Sequence, residues 1–140
     1  MNDRLQEIAD ELSSLPTDLQ QQVMVERSNN FPSLPERYHA ARDAGLGRVH
    51  ECVAAVFFFP EVEDGAVQIH AEVPADAPTT RALVGILMDA YNGEPPEDVQ
   101  AIPDDLLRRL GVAPWLSMNR QRGFAGVLAR LKHGVAQASS

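Results

Sequence analysis

The order of periodicities along these 140 residues predicts an α+β fold, a small antiparallel β-sheet packed against N- and C-terminal helices. Three observations predict it. Apolar residues recur at helical spacing before Gly45. Two strand-like runs lie either side of Asp64-Gly65. Helical spacing returns after Thr79 and persists to the last helix.

The first helix is predicted over Asp3–Ser14, with Leu5, Ile8, Leu12 and Leu15 on one side and Pro16 as its stop. Thr17 or Asp18 can cap a second helix that carries Leu19, Val23 and Met24 and ends at Asn29-Asn30. Pro32 and Pro35 hold Phe31–Pro35 extended. A short helix is expected over Glu36–Ala44, then a flexible turn at Gly45-Leu46-Gly47. The solid apolar run Val53–Phe59 reads as a strand buried on both faces. Ala66–Val73 alternates, Val67, Ile69, Ala71 and Val73 against Gln68, His70 and Glu72, as a half-buried strand does. Asp64-Gly65 between them is a hairpin turn. Thr79 or Thr80 opens a helix with Leu83, Leu87, Ala90 and Tyr91 inward, ended by Asn92-Gly93. Pro95-Pro96-Glu97-Asp98 starts a short helix, and Asp104–Leu110 forms another, stopped by Gly111. Ser117 caps the last helix, which carries Phe124, Val127, Leu128, Leu131 and Val135. Trp115 just before it is expected to anchor in the core.

Length and a 44% hydrophobic content fit one domain over residues 1–140 with a core that needs no metal or disulfide. The single cysteine, Cys52, excludes an intramolecular disulfide and fits a reducing compartment. The opening residues lack the apolar centre of a secretion signal, and Val53–Pro60 is too short to span a bilayer, so a soluble cytoplasmic protein with no membrane partner is expected. Net charge is −8, which argues against nucleic acid as a partner. The sign reverses locally: from Arg120 onward the charged residues are Arg120, Arg122, Arg130 and Lys132, with no Asp or Glu.

Cys52 is the one soft nucleophile. It follows the Gly45–Arg48 turn and precedes the apolar run, a place where a loop can present a side chain from a rigid support. The plain alternative is a buried structural cysteine. Arg48 and His50 lie close in sequence and would favour the thiolate, while Glu51 opposes them. No spacing marks His39, His50, His70 or His133 as the base of a Cys–His hydrolase, and His50-x-Cys52 is no recognised zinc pair. No phosphate-cradling glycine loop occurs, and the acidic clusters near Glu61 and Glu97 read as solvated loops. Arg120 falls in the first turn of the last helix, where the helix dipole disfavours a cation. Its placement there fits two readings, recruitment for a partner or an anion, or simply a surface arginine with its carboxylate elsewhere.

Three stretches together resemble the SufE-like family of sulfur acceptors, from about Leu15 to the last helix. Arg48-Val49-His50-Glu51-Cys52-Val53-Ala54-Ala55-Val56-Phe57 stands at the place of the family's Val-x-Gly-Cys-x-Ser-x-Val-Trp motif. Asp76–Leu83, running on to Tyr91–Val99, is similar to the family's helix followed by Asn-Gly and an acidic short helix. Leu110-Gly111 and then Leu116–Phe124 resemble Leu-Ser-x-x-Arg-x-x-Gly-Leu. Cys52 and Arg120 match the motif. Glu51 replaces its glycine, Ala54 its serine and Phe57 its tryptophan, and Ala82 stands where glycine is preferred.

The resemblance implies that Cys52 accepts persulfide sulfur from a pyridoxal-phosphate (PLP) cysteine desulfurase, stimulates that enzyme and relays the sulfur to an iron–sulfur cluster scaffold complex. Arg120 and His50 are then candidate electrostatic helpers. No cofactor is expected on this chain: the pyridoxal phosphate belongs to the partner, and the only lysine, Lys132, has no Schiff-base context. Two other readings stay open: a desulfurase-docking module whose transfer Glu51 has impaired, and an unrelated adaptor in which Cys52 is core.

Overall fold

The computed structural model describes residues 1–139. Their order is α1 (Asp3–Ser13), α2 (Thr17–Asn29), a 3-10 turn (Glu36–Tyr38), α3 (His39–Asp43), β1 (Phe57–Glu63), β2 (Ala66–Glu72), α4 (Pro78–Tyr91), α5 (Pro96–Gln100), α6 (Leu106–Arg109), a second 3-10 turn (Ala113–Trp115) and α7 (Met118–Ser139). The α+β class holds, with one two-stranded antiparallel sheet among the described residues. Leu5, Ile8 and Leu12 of α1 and Leu83, Leu87 and Tyr91 of α4 are buried at the spacing that predicts them. So are Phe124, Val127, Leu128, Leu131 and Val135 of α7, and all of these join one contiguous core. Each fully buried leucine or valine there contributes roughly 1.5–3 kcal/mol relative to exposure. In α2 the face is rotated: Leu19 is 42% exposed and Gln20 is buried instead. Gln20 donates to the Leu12 carbonyl (2.8 Å) and accepts from Trp115 Nε1 (2.8 Å). Trp115 is thus half-buried against the core and held by a buried amide.

The first strand is where the sequence reading needs correction. β1 begins at Phe57 and runs to Glu63, four residues later than the apolar run suggests. The residues before it form a tight loop. Val49 N–H donates to the Val56 carbonyl (2.9 Å), Cys52 N–H to Val49 (3.2 Å), and Val56 N–H to Ala54 (2.9 Å). Val53 points out, 82% exposed. Apolar composition alone cannot separate a buried strand from an apolar loop.

Pro60 sits inside β1 without loss. It opposes Ile69, whose N–H turns away from β1 to Asn92 Oδ1 (2.7 Å). The pair is therefore a non-hydrogen-bonded one, and the missing proline N–H breaks no ladder bond. At the far end the register closes Glu63 on Ala66 across Asp64 (φ 53°) and Gly65 (φ 77°), the positive-φ pair of a two-residue hairpin. Asn92-Gly93 stops α4 and also lies along the outer edge of β2: Gly93 N–H donates to the Val67 carbonyl and Val67 N–H to Glu94, both at 2.8 Å.

Helix α7 packs on β1, and α4 packs on β2, α2 and α7. The cysteine loop is caught between the start of β1 and the first half of α7.

Candidate functional site

The turn before Cys52 depends on Gly47. Its φ is 75°, and a Cβ there would fall 2.6 Å from the Phe59 ring. No other residue type allows both the handedness and the close approach. From this turn the loop runs back along α7. Cys52 is 6% exposed, and its thiol donates to the Gly123 carbonyl (3.4 Å). A Cβ at position 123 would stand 3.0 Å from Cys52 Sγ and 3.4 Å from Cys52 Cα, so the bare backbone of Gly123 is the seat of the cysteine. Gly126, one turn further, is covered by Glu51, whose own Cβ would lie 2.7 Å from a side chain there.

Cys52 opens onto a cavity of about 280 Å³ lined by Val53, Ala54, Asp76, Ala77, Thr80, Asn119, Arg120 and Gly123. Three separate parts of the chain meet here: the cysteine loop, the entry to α4 and the first turns of α7. Arg120 and Cys52, 68 positions apart, therefore line one cavity. The Arg120 backbone N–H donates to Ser117 Oγ (3.2 Å), so Ser117 caps α7 as expected. The Arg120 guanidinium is exposed and has no hydrogen bond or ion pair among the described residues.

His50 is not brought to this cavity. It is exposed on the turn between Val49 and Cys52, with Cys52 facing α7 and His50 facing solvent. His39 instead contacts the Leu34 carbonyl (3.0 Å), and His70 tilts against the Tyr38 ring. Among the described residues no three His, Cys, Asp or Glu side chains cluster as a metal site.

Electrostatically the thiol is held in its neutral form. Burial raises the Cys52 pKa most, the Glu51 carboxylate raises it further, and the Arg48 guanidinium opposes both. The basic stretch from Arg120 divides in two. Arg130 donates to the Arg48 carbonyl (2.8 Å) and Lys132 to the Ile102 carbonyl, so both serve the fold. Arg120 and Arg122 are exposed at the mouth-side end of α7 with no partner among the described residues.

Sequence reasoning does not single out Asp76, Thr80 and Asn119 as cavity residues, and gives Gly123 and Gly126 no role. A signal for the glycines exists. Each costs about 1 kcal/mol against alanine in a helix interior, a cost that calls for a packing reason.

A buried thiol seated on a capped helix, beside an unpaired arginine and reached through a three-sided cavity, defines a protein built around one sheltered sulfur nucleophile. Similarity to known proteins gives the family. Residues 6–135 match the family model SufE, described as an Fe-S metabolism associated domain. The chain belongs to this SufE family. It is 32% identical over 135 residues to an uncharacterised SufE-like protein of Mycobacterium tuberculosis (strain ATCC 25618 / H37Rv), covering 96% of this chain and 92% of that one. It is 24% identical over 129 residues to a protein of Plasmodium falciparum (isolate 3D7) named cysteine desulfuration protein SufE, covering 90% of this chain and 50% of that one. The solution structure of a hypothetical protein from Thermus thermophilus superposes with a TM-score of 0.84 at 33% identity, over 97% of this chain and 96% of that one. No helix of the described residues is long and apolar enough to cross a membrane.

Proposed function

We propose that Cys52 accepts sulfur from the active-site persulfide of a PLP-dependent cysteine desulfurase and relays it to an iron–sulfur cluster scaffold. The observation that supports this best is the shared cavity: the one sulfur nucleophile of the chain and an unpaired arginine line the same opening, in a member of an Fe–S metabolism family. The chemistry is thiol–persulfide exchange with no net oxidation. The Cys52 thiolate attacks the outer sulfur of the donor persulfide, a new S–S bond forms, and the donor's S–S bond breaks. The donor cysteine leaves as a thiolate and regains a proton, while the Cys52 proton goes to solvent. Arg120 is suited to stabilise the anionic sulfur as it passes. His50, on the solvent side of the loop, is suited to contact the partner. The pyridoxal phosphate is assigned to the desulfurase.

Intact-mass analysis after incubation with a desulfurase and cysteine tests this. Wild type is expected to gain one sulfur atom on Cys52. Cys52→Ser, nearly isosteric but unable to form a persulfide, is expected to fold and bind the desulfurase yet gain none. A wild type that binds and stays unmodified would overturn the relay. The second reading, a docking module with impaired transfer, would then take its place, and one observation favours it: Glu51 adds to the burial that suppresses the thiolate.

A further inference from the structure

We propose that Arg130 is a positioning residue for Cys52: it clamps the entry of the cysteine loop onto α7 and so sets how often the thiol is presented outward. The loop and helix are in register. Going backward from Cys52 to Glu51 to Arg48, the contacts on α7 step forward from Gly123 to Gly126 to Arg130. Steps of three and four residues keep all three on one helix face. At the first two positions the helix offers only bare backbone. At the third it offers a guanidinium, and Arg130 Nη2 donates to the Arg48 carbonyl at 2.8 Å across 82 positions of sequence.

The polar ties that hold this loop to α7 are therefore unequal. At the Cys52 end, a thiol donates to a carbonyl at 3.4 Å, a weak bond from a weak donor. At the Arg48 end, a cation donates at 2.8 Å, a bond of the stronger, charge-assisted kind. The weak tie is the one that must break when Cys52 meets a partner, and it involves the reacting atom itself. The strong tie lies at the base of the loop, where it can act as the fixed end of the swing. It also fixes Arg48, whose guanidinium lies over the Phe57 ring and whose charge acts on Cys52. The groove that Arg130 enters is lined by Glu51, Phe58, Pro60, His133 and Gly134. Glu51 and His133 are thus the titratable groups that share it.

The purpose given to the clamp rests on the relay reading, but its test measures loop opening without sulfur transfer, so either can fail alone. The experiment is iodoacetamide alkylation of Cys52 in the full native chain, across pH, for wild type, Arg130→Met and Arg130→Lys. Losing a charge-assisted bond is expected to raise the open population, and with it the high-pH plateau rate of Arg130→Met, about tenfold. Arg130→Lys, which can still donate to the Arg48 carbonyl, is expected to stay near wild type, and the cooperative melt is expected to survive in both. Simple loss of a cation would act oppositely, slowing the reaction near neutral pH and leaving the plateau unchanged. An unchanged or lower plateau, equal rates in the two variants, or loss of the cooperative melt in Arg130→Met would overturn the proposal. Amide exchange at Val49, whose N–H closes the loop on Val56, is expected to quicken in Arg130→Met alone; unaltered protection there would overturn it as well.

Discussion

Among single residues, Glu51 carries the sharpest consequence. Its carboxylate raises the Cys52 pKa, so removing the charge lowers it and enlarges the thiolate fraction near neutrality. Glu51→Gln keeps the side chain that covers Gly126 and removes only the charge. It is expected to speed alkylation of Cys52 a few-fold near pH 7 and to leave the high-pH plateau unchanged. Arg120 belongs at this scale too. With no partner among the described residues and no gain from the helix dipole, Arg120→Ala is expected to leave the melting temperature within a degree or two of wild type. Sulfur uptake from a charged desulfurase is expected to fall; a large stability loss with normal uptake would assign Arg120 to the fold.

At the scale of elements, α7 supports the site by what it lacks. Gly123→Ala brings a methyl group to 3.0 Å from Cys52 Sγ. Alanine gains about 1 kcal/mol of helix propensity, and the loop is the side able to give way. The expected result is a melting temperature near or slightly above wild type together with a faster-reacting Cys52. An unchanged alkylation rate would mean that the thiol is not seated on Gly123. This scale also shows what is legible in the sequence. Helix faces repeat often enough to be read, so α1, α4 and α7 emerge with their buried residues. The hairpin emerges because Asp64-Gly65 can do little else. The Cys52 loop reads as the start of a strand, because its apolar residues divide between core (Val49, Val56) and solvent (Val53) by loop geometry, which has no period. Cys52 and Arg120 stand out through the motifs that resemble the family's. Asp76, Thr80 and Asn119 do not, because their meeting depends on how α4 enters beside α7, a tertiary fact without a local pattern.

For the whole molecule, Asp89 is the junction. It stands on α4 and pairs with Arg4 of α1 (2.8 Å) and Arg27 of α2 (3.3 Å). Hydrogen bonding to Arg4 holds its carboxyl below the usual range, with Arg27 adding to the effect. A depressed carboxylate contributes stability that is present above its ordinary pKa and is lost as pH falls through that range. The partners are one quarter to nearly one half exposed, so solvent screening keeps the contribution to about 1 kcal/mol. Asp89→Asn is expected to lower the melting temperature by a few degrees at pH 7 and to converge on wild type only as pH falls below the usual carboxylate range. A stability difference that persists into acid would mean that packing, not charge, is what the substitution disturbs.

The hairpin's borders have a consequence for recognition. On β2 both outward groups of Val67 and the outward N–H of Ile69 are already taken by Gly93, Glu94 and Asn92. On β1 the outward N–H of Phe58 is taken by the Gly47 carbonyl (2.8 Å), and at Pro60 there is no N–H to offer. An extended peptide arriving as a third strand finds neither flank fully open, since part of each is already paired or, at Pro60, lacks a donor. The interrupted edges favour recognition through side chains and the shape of the cysteine loop, a code that single substitutions can rewrite, whereas backbone zippering would be blind to them.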